Sequence, residues 1–290
     1  MIELEGIGLH SGERGRVRFF AEEGPVRLRV GGQTFRPLAS RVSDTIRCTV
    51  LEAEGVRLMT VEHLLAALYV RGIWEGVLIE VEGPEVPILD GSAKGWLEAL
   101  EAFPPLGPQA RPVLRSLKLQ EDKSLASVEP AAFSLNVTVA FPHPKIGYQS
   151  FASPPRALLE VADARTFGFL AEVNALKAQG LIRGASLENA LVFGDHAPLN
   201  TPRGLDEPVR HKALDFLGDL YLAGAPWAGR FSVHRGSHRL HVRLAAQLEQ
   251  WLAEASPTTE EAETSSPDSG LPPPGGATIL PPLEKPFSLD

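Results

Sequence analysis

A proline-rich segment at residues 104–108 (PPLGP) limits most strongly how this chain folds. Proline lacks an amide hydrogen and has a fixed φ, so the segment continues neither a helix nor a central strand. Strands followed by helices are predicted before it, and the same order returns in outline after it. We therefore predict a domain boundary here, with domains over residues 1–106 and 107–253.

Local patterns place the elements within the two halves. Short β-branched or aromatic runs between turns predict strands, and apolar residues at helical spacing predict helices. Before the boundary we predict strands at Arg16–Phe20, Val26–Val30, Arg47–Leu51 and Val77–Val81, a helix with Thr60 as N-cap, and a helix after Asp90–Ser92. After the boundary we predict strands at Leu114–Leu119 and Phe133–Phe141, and helices at Pro155–Val161 and Pro208–Leu222.

Composition and charge exclude several classes of function. The net charge of −8 argues against nonspecific nucleic-acid binding, which depends on Lys and Arg neutralising phosphates. Cys48 is the single cysteine, and neither a signal peptide nor a run of roughly 20 apolar residues is readable. We expect a soluble, cytoplasmic protein with no stable membrane insertion. Residues 254–290 are rich in Pro, Ser and Glu, and we predict a disordered tail there.

The most informative chemical pattern is VRHKALDFLGD, residues 209–219. On a helix, His211, Asp215 and Asp219 are successively four residues apart and share one face. An imidazole and a carboxylate one turn apart can bind one metal ion, and zinc suits mixed nitrogen and oxygen ligands. The alternative is a solvated polar stripe with helix ion pairs, which is the more frequent meaning of a lone H-x-x-x-D.

A catalytic zinc usually has three protein ligands, so one more must come from elsewhere in the chain. Glu62 and His63, at a predicted helix start, are candidates. Adjacent helical residues point about 100° apart, so His63 can bind a metal ion while Glu62 reaches a water molecule beside it. The alternative is that Glu62 favours the helix dipole and His63 caps or packs.

Two further segments carry candidate groups. His234, His238 and His241 lie close together, and one of them is a candidate general acid for a leaving amine, with Asp219 raising its pKa. A histidine-rich surface loop is the alternative. Residues 165–169 (RTFGF) combine a hydroxyl with two phenylalanines, which suits an oxyanion donor beside a stacking surface.

Seven short segments follow one another along the chain: GIGLHSG (Gly6–Gly12), TVEHLLAAL (Thr60–Leu68), PILDGSA (Pro87–Ala93), ARTFGF (Ala164–Phe169), GASLENA (Gly184–Ala190), VRHKALDFLGDL (Val209–Leu220) and RGSHRLHVRL (Arg235–Leu244). Together and in this order they resemble the family of UDP-3-O-acyl-N-acetylglucosamine deacetylases. That family performs the committed step of lipid A synthesis.

The resemblance implies an α+β fold of two similar layered domains, each a β-sheet packed with α-helices. It also implies a βαβ insert in the second domain, at about residues 168–199, that shapes a hydrophobic passage for the substrate's acyl chain. Leu176, Leu181, Ile182 and Leu187 are candidate lining residues, although each could equally be ordinary core.

Carried over by position, the resemblance also assigns a metal centre. His63, His211 and Asp215 become the ligands of one zinc ion, with ferrous iron as the other candidate in the cell. Glu62 becomes the general base that takes a proton from water.

The remaining catalytic roles follow in the same way. Lys212 and the Thr166 hydroxyl stabilise the oxyanion, and His238 protonates the departing amine while Asp219 orients it. Two neighbours of the acid depart from the family pattern, because Ser237 stands where the family usually has Gly and His241 where it usually has Asn. Both changes could shift the position of the acid.

For the substrate, the resemblance points to an acylated UDP-amino-sugar, with Phe141, Phe169 and Arg235 near the nucleotide. Ordinary core packing is the alternative for both phenylalanines. Two other functions stay open: a paralogue acting on another N-acyl amino sugar, and an inert sugar-nucleotide-binding relative. We expect a monomer.

Overall fold

The computed structural model describes residues 1–153 and 155–255. The predicted disordered tail lies outside this range except for its first two residues, and the first of these, Glu254, ends a helix. Contacts join Met1–Ala255 into one packed unit, and the division at residue 106 stays a prediction. No helix in the described part of the chain is long and apolar enough to cross a membrane.

The first half of the chain contains the strands β1 (Ile2–Ile7), β2 (Arg14–Pro25), β3 (Arg27–Val30), β4 (Gln33–Phe35), β5 (Val42–Asp44), β6 (Val50–Ala53), β7 (Val56–Leu58) and β8 (Glu75–Glu82). Its helices are α1 (Glu62–Arg71) and α2 (Lys94–Ala99), with short 3-10 helices at Ala39–Arg41 and Leu100–Ala102.

The second half contains the strands β9 (Arg111–Pro112), β10 (Leu117–Glu121), β11 (Ser124–Glu129), β12 (Ser134–Phe141), β13 (Gly147–Ser153), β14 (Phe167–Phe169), β15 (Leu191–Phe193), β16 (Trp227–Ala228) and β17 (Arg230–His234). Its helices are α3 (Leu170–Ala178), α4 (Glu207–Tyr221) and α5 (His238–Glu254), with a 3-10 helix at Pro155–Val161.

Both halves build a five-stranded sheet with the same topology. The strand order is β1-β2-β8-β3-β4 in the first sheet and β10-β11-β17-β12-β13 in the second. In each sheet the strand that comes last in the sequence enters the centre, antiparallel to the second strand and parallel to the third. The fold is α+β, and the repeated topology agrees with the expected similarity of the two halves.

Each sheet buries one face, as period-two alternation requires. In β2, Val17 and Phe19 are fully buried, whereas Arg16 and Arg18 between and beside them form ion pairs with glutamates of neighbouring strands such as Glu3. The buried side chains of this face and those of α1, such as Leu64 and Leu65, belong to one hydrophobic core.

The helices α1 and α4 pack closely against each other, and a glycine permits this approach. A Cβ atom added at Gly218 would lie 2.0 Å from the carbonyl oxygen of Glu62, so any side chain there would push the helices apart. On its other sides α4 contacts α5 and β12. The first turn of α1 and the middle of α4 therefore meet, although they are far apart in the sequence.

A strand–helix–strand unit lies within the segment expected to carry a βαβ insert. The strands β14 and β15 pair in parallel, and α3 connects them. The rings of Phe167, Phe169 and Phe193 contact one another, and Phe141 from the end of β12 joins them. An apolar cluster therefore lies between this unit and the second sheet.

Local patterns placed several boundaries wrongly. Thr60 does not cap α1, because it has a positive φ of 59° and its hydroxyl donates to the buried carboxylate of Glu85 at 2.6 Å. The strand predicted at Arg47–Leu51 begins at Val50, since Arg47 also has a positive φ. The helix predicted at Pro155–Val161 is a 3-10 helix.

The helix predicted after Asp90–Ser92 is confirmed as α2: Asp90 accepts hydrogen bonds from the backbone and hydroxyl of Ser92 in a turn, and α2 begins at Lys94. One strand boundary moves by a few residues. The strand predicted at Leu114–Leu119 is β10, which starts at Leu117. Leu114 is exposed.

Candidate active site

A cavity of about 310 Å³ opens where α1, α4 and the start of α5 meet. It contains eight of the site residues predicted from the sequence: Glu62, His63, Phe141, Thr166, His211, Lys212, Asp215 and His238. Asp219 lies directly behind His238, in contact with its ring. Phe169 lines a neighbouring pocket. Arg235 is exposed and lines neither cavity.

Three side chains converge in the form of a metal site. One ligand atom each from His63, His211 and Asp215 lies within 4.8 Å of the other two, and all three residues are buried. The carboxylate oxygen Oδ1 of Asp215 is 3.3 Å from Nε2 of His211 and 3.7 Å from Nε2 of His63. The buried stripe on α4 is therefore not the solvated polar face that was the alternative.

The second nitrogen of each imidazole shows how the rings are held. Nδ1 of His211 lies 3.1 Å from the carbonyl oxygen of Ala164, so it carries the proton and Nε2 is left with a free lone pair. Nδ1 of His63 is buried and has no hydrogen-bond partner among the described residues. The set fits a divalent cation that takes nitrogen and oxygen ligands.

The charges in this cluster suit metal binding. Burial lowers the pKa of His63 to about 3, with His211 adding to the effect, and burial also lowers the pKa of His211. Burial alone would raise the pKa of Asp215, but His211 and Lys212 hold it well below its usual range. Neutral imidazoles and an ionised carboxylate are the protonation states that a metal ion requires.

Lys212 lies at the edge of this cluster. Its Nζ donates to Oδ2 of Asp215 at 2.8 Å and lies 5.7 Å from the centre of the Phe167 ring. It is partly exposed to the cavity, so its ammonium group can also reach a bound anion. Thr166 faces the same cavity from the start of the strand–helix–strand unit.

Glu62 is a buried carboxylate beside the three converging groups. Its Oε2 accepts a hydrogen bond from the backbone nitrogen of Thr49 at 3.0 Å. Burial raises the pKa of Glu62 to about 7; Asp215 and Asp219 act in the same direction, and His238 opposes them. A carboxyl group with a pKa near neutrality is suited to proton transfer.

A second cluster lies one turn further along α4. Asp219 is fully buried, and its Oδ2 accepts hydrogen bonds from Nδ1 of His238 at 2.8 Å and Nδ1 of His241 at 3.0 Å. Its Oδ1 accepts the hydroxyl of Thr49 at 2.6 Å. Burial by itself lowers the pKa of His238, but the charge of Asp219 and the hydrogen bond to it raise that pKa to about 9.

The structure separates the three histidines near the end of the chain. His234 lies at the end of β17, where its Nδ1 contacts the Thr138 hydroxyl at 2.7 Å. His238 and His241 are three residues apart on α5, so they share a face, and both reach Asp219. His238 alone of the three lines the cavity.

A second pocket, of about 120 Å³, adjoins the cavity beside α3. Leu9, Thr166 and Phe167 line both spaces, so the two are adjacent. Mostly apolar side chains line the pocket, including Phe169, Leu176 and Ile182, and Glu172 and Arg47 lie at its edge. Leu181 and Leu187 do not line it.

The glycine-rich segment at Gly6–Gly12 wraps a buried carboxylate. The backbone nitrogens of His10 and Ser11 donate to Glu85 at 2.7–3.1 Å. A Cβ atom at Gly8 would lie 2.3 Å from the Glu85 carboxylate, which explains the glycine. This anchor fixes Leu9 at the cavity wall.

Sequence reasoning missed three contributors: Thr49, the carbonyl of Ala164 and His241 as a partner of Asp219. Thr49 and Ala164 act through contacts that join distant parts of the chain, and no local pattern marks them. His241 carried a usable signal, because a histidine three residues after His238 on a helix lies on the same face.

Comparison with known proteins agrees with the resemblance that the seven sequence segments carry. A profile of the family described as UDP-3-O-acyl N-acetylglycosamine deacetylase matches residues 1–250. The chain is 43% identical over 261 residues to the UDP-3-O-acyl-N-acetylglucosamine deacetylase of Thermosynechococcus vestitus, covering 86% of this chain and 91% of the relative. It is 38% identical over 264 residues to the protein of that name from Brucella melitensis biotype 2, covering 85% of this chain and 92% of the relative.

Proposed function

The chain belongs to the UDP-3-O-acyl N-acetylglycosamine deacetylase family, and from this premise we propose how its active site works. The reaction is hydrolysis of the N-acetyl group of UDP-3-O-(3-hydroxyacyl)-N-acetylglucosamine, which releases acetate and the free amine in lipid A biosynthesis. The observation that carries the mechanism is the convergence of His63, His211 and Asp215 between a buried carboxylate, Glu62, and an acid, His238.

We assign His63, His211 and Asp215 as the ligands of one zinc ion. The donor set supports this, because two imidazoles and one ionised carboxylate would supply the three protein ligands that catalytic zinc sites typically have. Zinc supplies Lewis acidity, which polarises a carbonyl oxygen and makes water acidic near neutral pH. Ferrous iron fits the same donors, and the metal content of protein purified from cells distinguishes the two.

Glu62 is the general base in this proposal. Its carboxylate faces the cavity beside the ligand cluster, and the amide of Thr49 holds its second oxygen in place. In the ionised form it takes a proton from the attacking water molecule. Glu62 itself is only 3% exposed, so its carboxyl group can hold that proton away from bulk solvent.

Attack on the acetamide carbonyl places negative charge on its oxygen. Lys212 and the Thr166 hydroxyl line the cavity at positions from which each can donate a hydrogen bond to that oxygen. Removing one such donor typically costs about 10²–10³ in kcat.

His238 protonates the leaving amine. Its Nδ1 is held by Asp219, so Nε2 carries the second proton and is the atom available for donation. The hydrogen bond fixes both the tautomer and the ring orientation. With its pKa raised to about 9, His238 is protonated at neutral pH, as an acid must be.

The substrate extends in two directions from this centre. The apolar pocket beside α3 suits the start of an acyl chain, since Phe169, Leu176 and Ile182 line it and it adjoins the cavity at Thr166. We place the nucleotide near Phe141 and Arg235, where an exposed guanidinium can pair with the diphosphate. We also propose a monomeric, cytoplasmic enzyme, in keeping with a nucleotide-linked substrate.

The test is release of acetate from UDP-3-O-(3-hydroxyacyl)-N-acetylglucosamine by purified protein, before and after chelation. Turnover that a chelator removes and one equivalent of zinc restores supports both the reaction and the metal. UDP-N-acetylglucosamine, which lacks the acyl chain, is the matched control substrate and should turn over poorly. Absence of turnover with metal bound would favour a paralogue acting on another N-acyl amino sugar or an inert relative.

A further inference from the structure

One oxygen of Asp219 holds two imidazole rings. Oδ2 lies 2.8 Å from Nδ1 of His238 and 3.0 Å from Nδ1 of His241, while Oδ1 accepts the Thr49 hydroxyl. The mechanism above uses His238 and Asp219 but gives His241 no task. His241 is nevertheless only 1% exposed, and it contacts the carboxylate of Asp219.

The protonation of His241 follows from its surroundings. The charge of His238, opposing burial, lowers the pKa of Asp219, so that carboxylate is ionised and only accepts hydrogen bonds. Nδ1 of His241 must therefore carry a proton. Burial lowers the pKa of His241, which leaves the ring neutral and its Nε2 without a proton.

The packing leaves the His241 ring with Nδ1 as its hydrogen-bonding atom. Nε2 of His241 is buried and has no hydrogen-bond partner among the described residues. A Cβ atom at Gly236 would lie 2.2 Å from it, and the Phe216 ring meets the imidazole edge-on at 5.2 Å. A buried nitrogen without a partner is costly, so the hydrogen bond to Asp219 is the contact that a histidine makes here and an apolar residue cannot.

We propose that His241 is a positioning residue for the deacetylation, acting through Asp219 on the acid His238; this inference rests on the proposed function. With Thr49 it fixes the carboxylate of Asp219 from two sides, so that Oδ2 points at His238. Its N–H also places a positive pole beside the protonated ring of His238. His241 thereby limits how strongly Asp219 holds the proton that His238 must give up.

Other charged groups act on His238 as well. Glu62 on α1 and Asp215 on α4 favour its protonated form. His10, in the loop after β1, interacts with it as a like charge when both are protonated. None of these groups shares the oxygen of Asp219, so replacing His241 changes one contact and leaves the others in place.

The experiment compares two variants that match in shape. In His241→Asn the side-chain amide nitrogen occupies the same branch position as Nδ1 of the imidazole, so the variant keeps a donor to Asp219. In His241→Leu a methyl group takes that place and the donor is lost. Urea unfolding of both proteins, each loaded with one equivalent of zinc, establishes that they are folded before they are compared.

The measurements are kcat and KM against pH, together with an NMR titration of the ¹⁵N-labelled His238 ring. In His241→Leu we expect the alkaline limb of kcat and the His238 titration to move to higher pH by about 0.5–1 pH unit. We expect kcat at pH 7.5 to fall by about 3–10-fold, with KM within about twofold. His241→Asn should stay within about twofold of the unchanged protein and keep its titration.

Two results would overturn the proposal: variants that both keep the original titration of His238, or variants that both shift it equally. The second result would mean that His241 matters only for packing. The titration does not require turnover, so it decides the role of His241 even if the unchanged protein fails to release acetate. Failure of the proposed function is seen separately, as absence of turnover in the unchanged, zinc-loaded protein.

Discussion

Two clusters of imidazole and carboxylate groups lie one turn apart on α4, and they differ in where their polar atoms point. Around Asp215, the free nitrogens of His63 and His211 face a common space together with the carboxylate. Around Asp219, both carboxylate oxygens accept hydrogen bonds, and Nδ1 of each nearby imidazole donates to this carboxylate. The first cluster is open toward a ligand, whereas the second is closed on itself.

The comparison shows that one residue type at one spacing has two tasks because its neighbours differ. Asp215 faces two imidazoles at 3.3 and 3.7 Å without well-formed hydrogen bonds, so a cation can enter between them. Asp219 is tightly bound to His238 and cannot turn toward a cation without breaking that contact. The helix supplies the spacing, and the elements packed on it decide the chemistry.

The largest expected effect comes from removing one imidazole of the open cluster. His211→Ala removes one proposed ligand and leaves the charge of Asp215 less compensated, so we expect zinc affinity to fall by at least about 10³-fold and turnover to disappear. Loss of a side chain that hydrogen-bonds a metal ligand already lowers metal affinity by about 10–100-fold, and loss of the ligand itself lowers it more. Metal content after gel filtration measures this, with exposed His196→Ala as the control. Full zinc stoichiometry in His211→Ala would remove that residue from the ligand set.

Replacing the base should separate metal binding from turnover. Glu62→Gln keeps the shape of the side chain and an oxygen for the Thr49 amide, but it cannot take a proton. We expect zinc to bind as before and kcat to fall by about 10²–10⁴-fold. Zinc titration and acetate release measure the two properties on one sample, and Glu188→Gln on the surface is the matched control. Retention of kcat within tenfold would exclude Glu62 as the base.

The fold was predictable to the extent that its signals are local. The stripe of His211, Asp215 and Asp219 follows from helical period alone, and the structure places all three on one buried face. Thr60 was misread, because its hydroxyl serves Glu85, 25 residues further along, instead of the first turn of α1. A cap is predicted from neighbours in sequence, and this tertiary contact overrides it.

The site was predictable in its residue types and less so in its supports. Motif order identified the groups that line the cavity, but Thr49 reaches Asp219 across 170 positions, and no spacing rule spans that distance. The glycine at position 218 was not predictable either, because a side chain there is excluded by the Glu62 carbonyl on another helix. Arg235, chosen for the diphosphate, lies outside both pockets, and its role stays a prediction.

Breaking the closed cluster should change the pH dependence of activity more than it changes zinc binding. His238, the proposed acid, must be protonated to act, so we expect activity to be lost as pH rises through its pKa of about 9. Glu62, the proposed base, must be ionised to act, so we expect activity to be lost as pH falls through its pKa of about 7. A bound cation would move this limb to lower pH because it favours the carboxylate. In Asp219→Asn the group that raises the pKa of His238 most is gone.

We therefore expect the alkaline limb of Asp219→Asn to move down by more than about 1 pH unit. At pH 7.5 we expect kcat to fall by about 10–100-fold, since less of the acid is protonated and its ring is less firmly oriented. Zinc stoichiometry should stay at one. A profile of kcat against pH that matches the unchanged protein would show that Asp219 does not control the acid.

The smallest expected effect tests whether the start of α5 belongs to the closed cluster alone. The hydroxyl of Ser237 accepts a hydrogen bond from the backbone nitrogen of Leu240 at 3.3 Å. It thereby caps α5, the helix that carries His238 and His241. We expect Ser237→Ala to lower the free energy of unfolding by about 1 kcal/mol and Ser237→Gly by only a few tenths of that. Urea unfolding of zinc-loaded protein measures both. Because the proposed ligands lie on α1 and α4, zinc affinity should not differ between the two variants. A difference in zinc affinity would mean that the two clusters respond as one, and that the contrast between an open and a closed cluster does not hold.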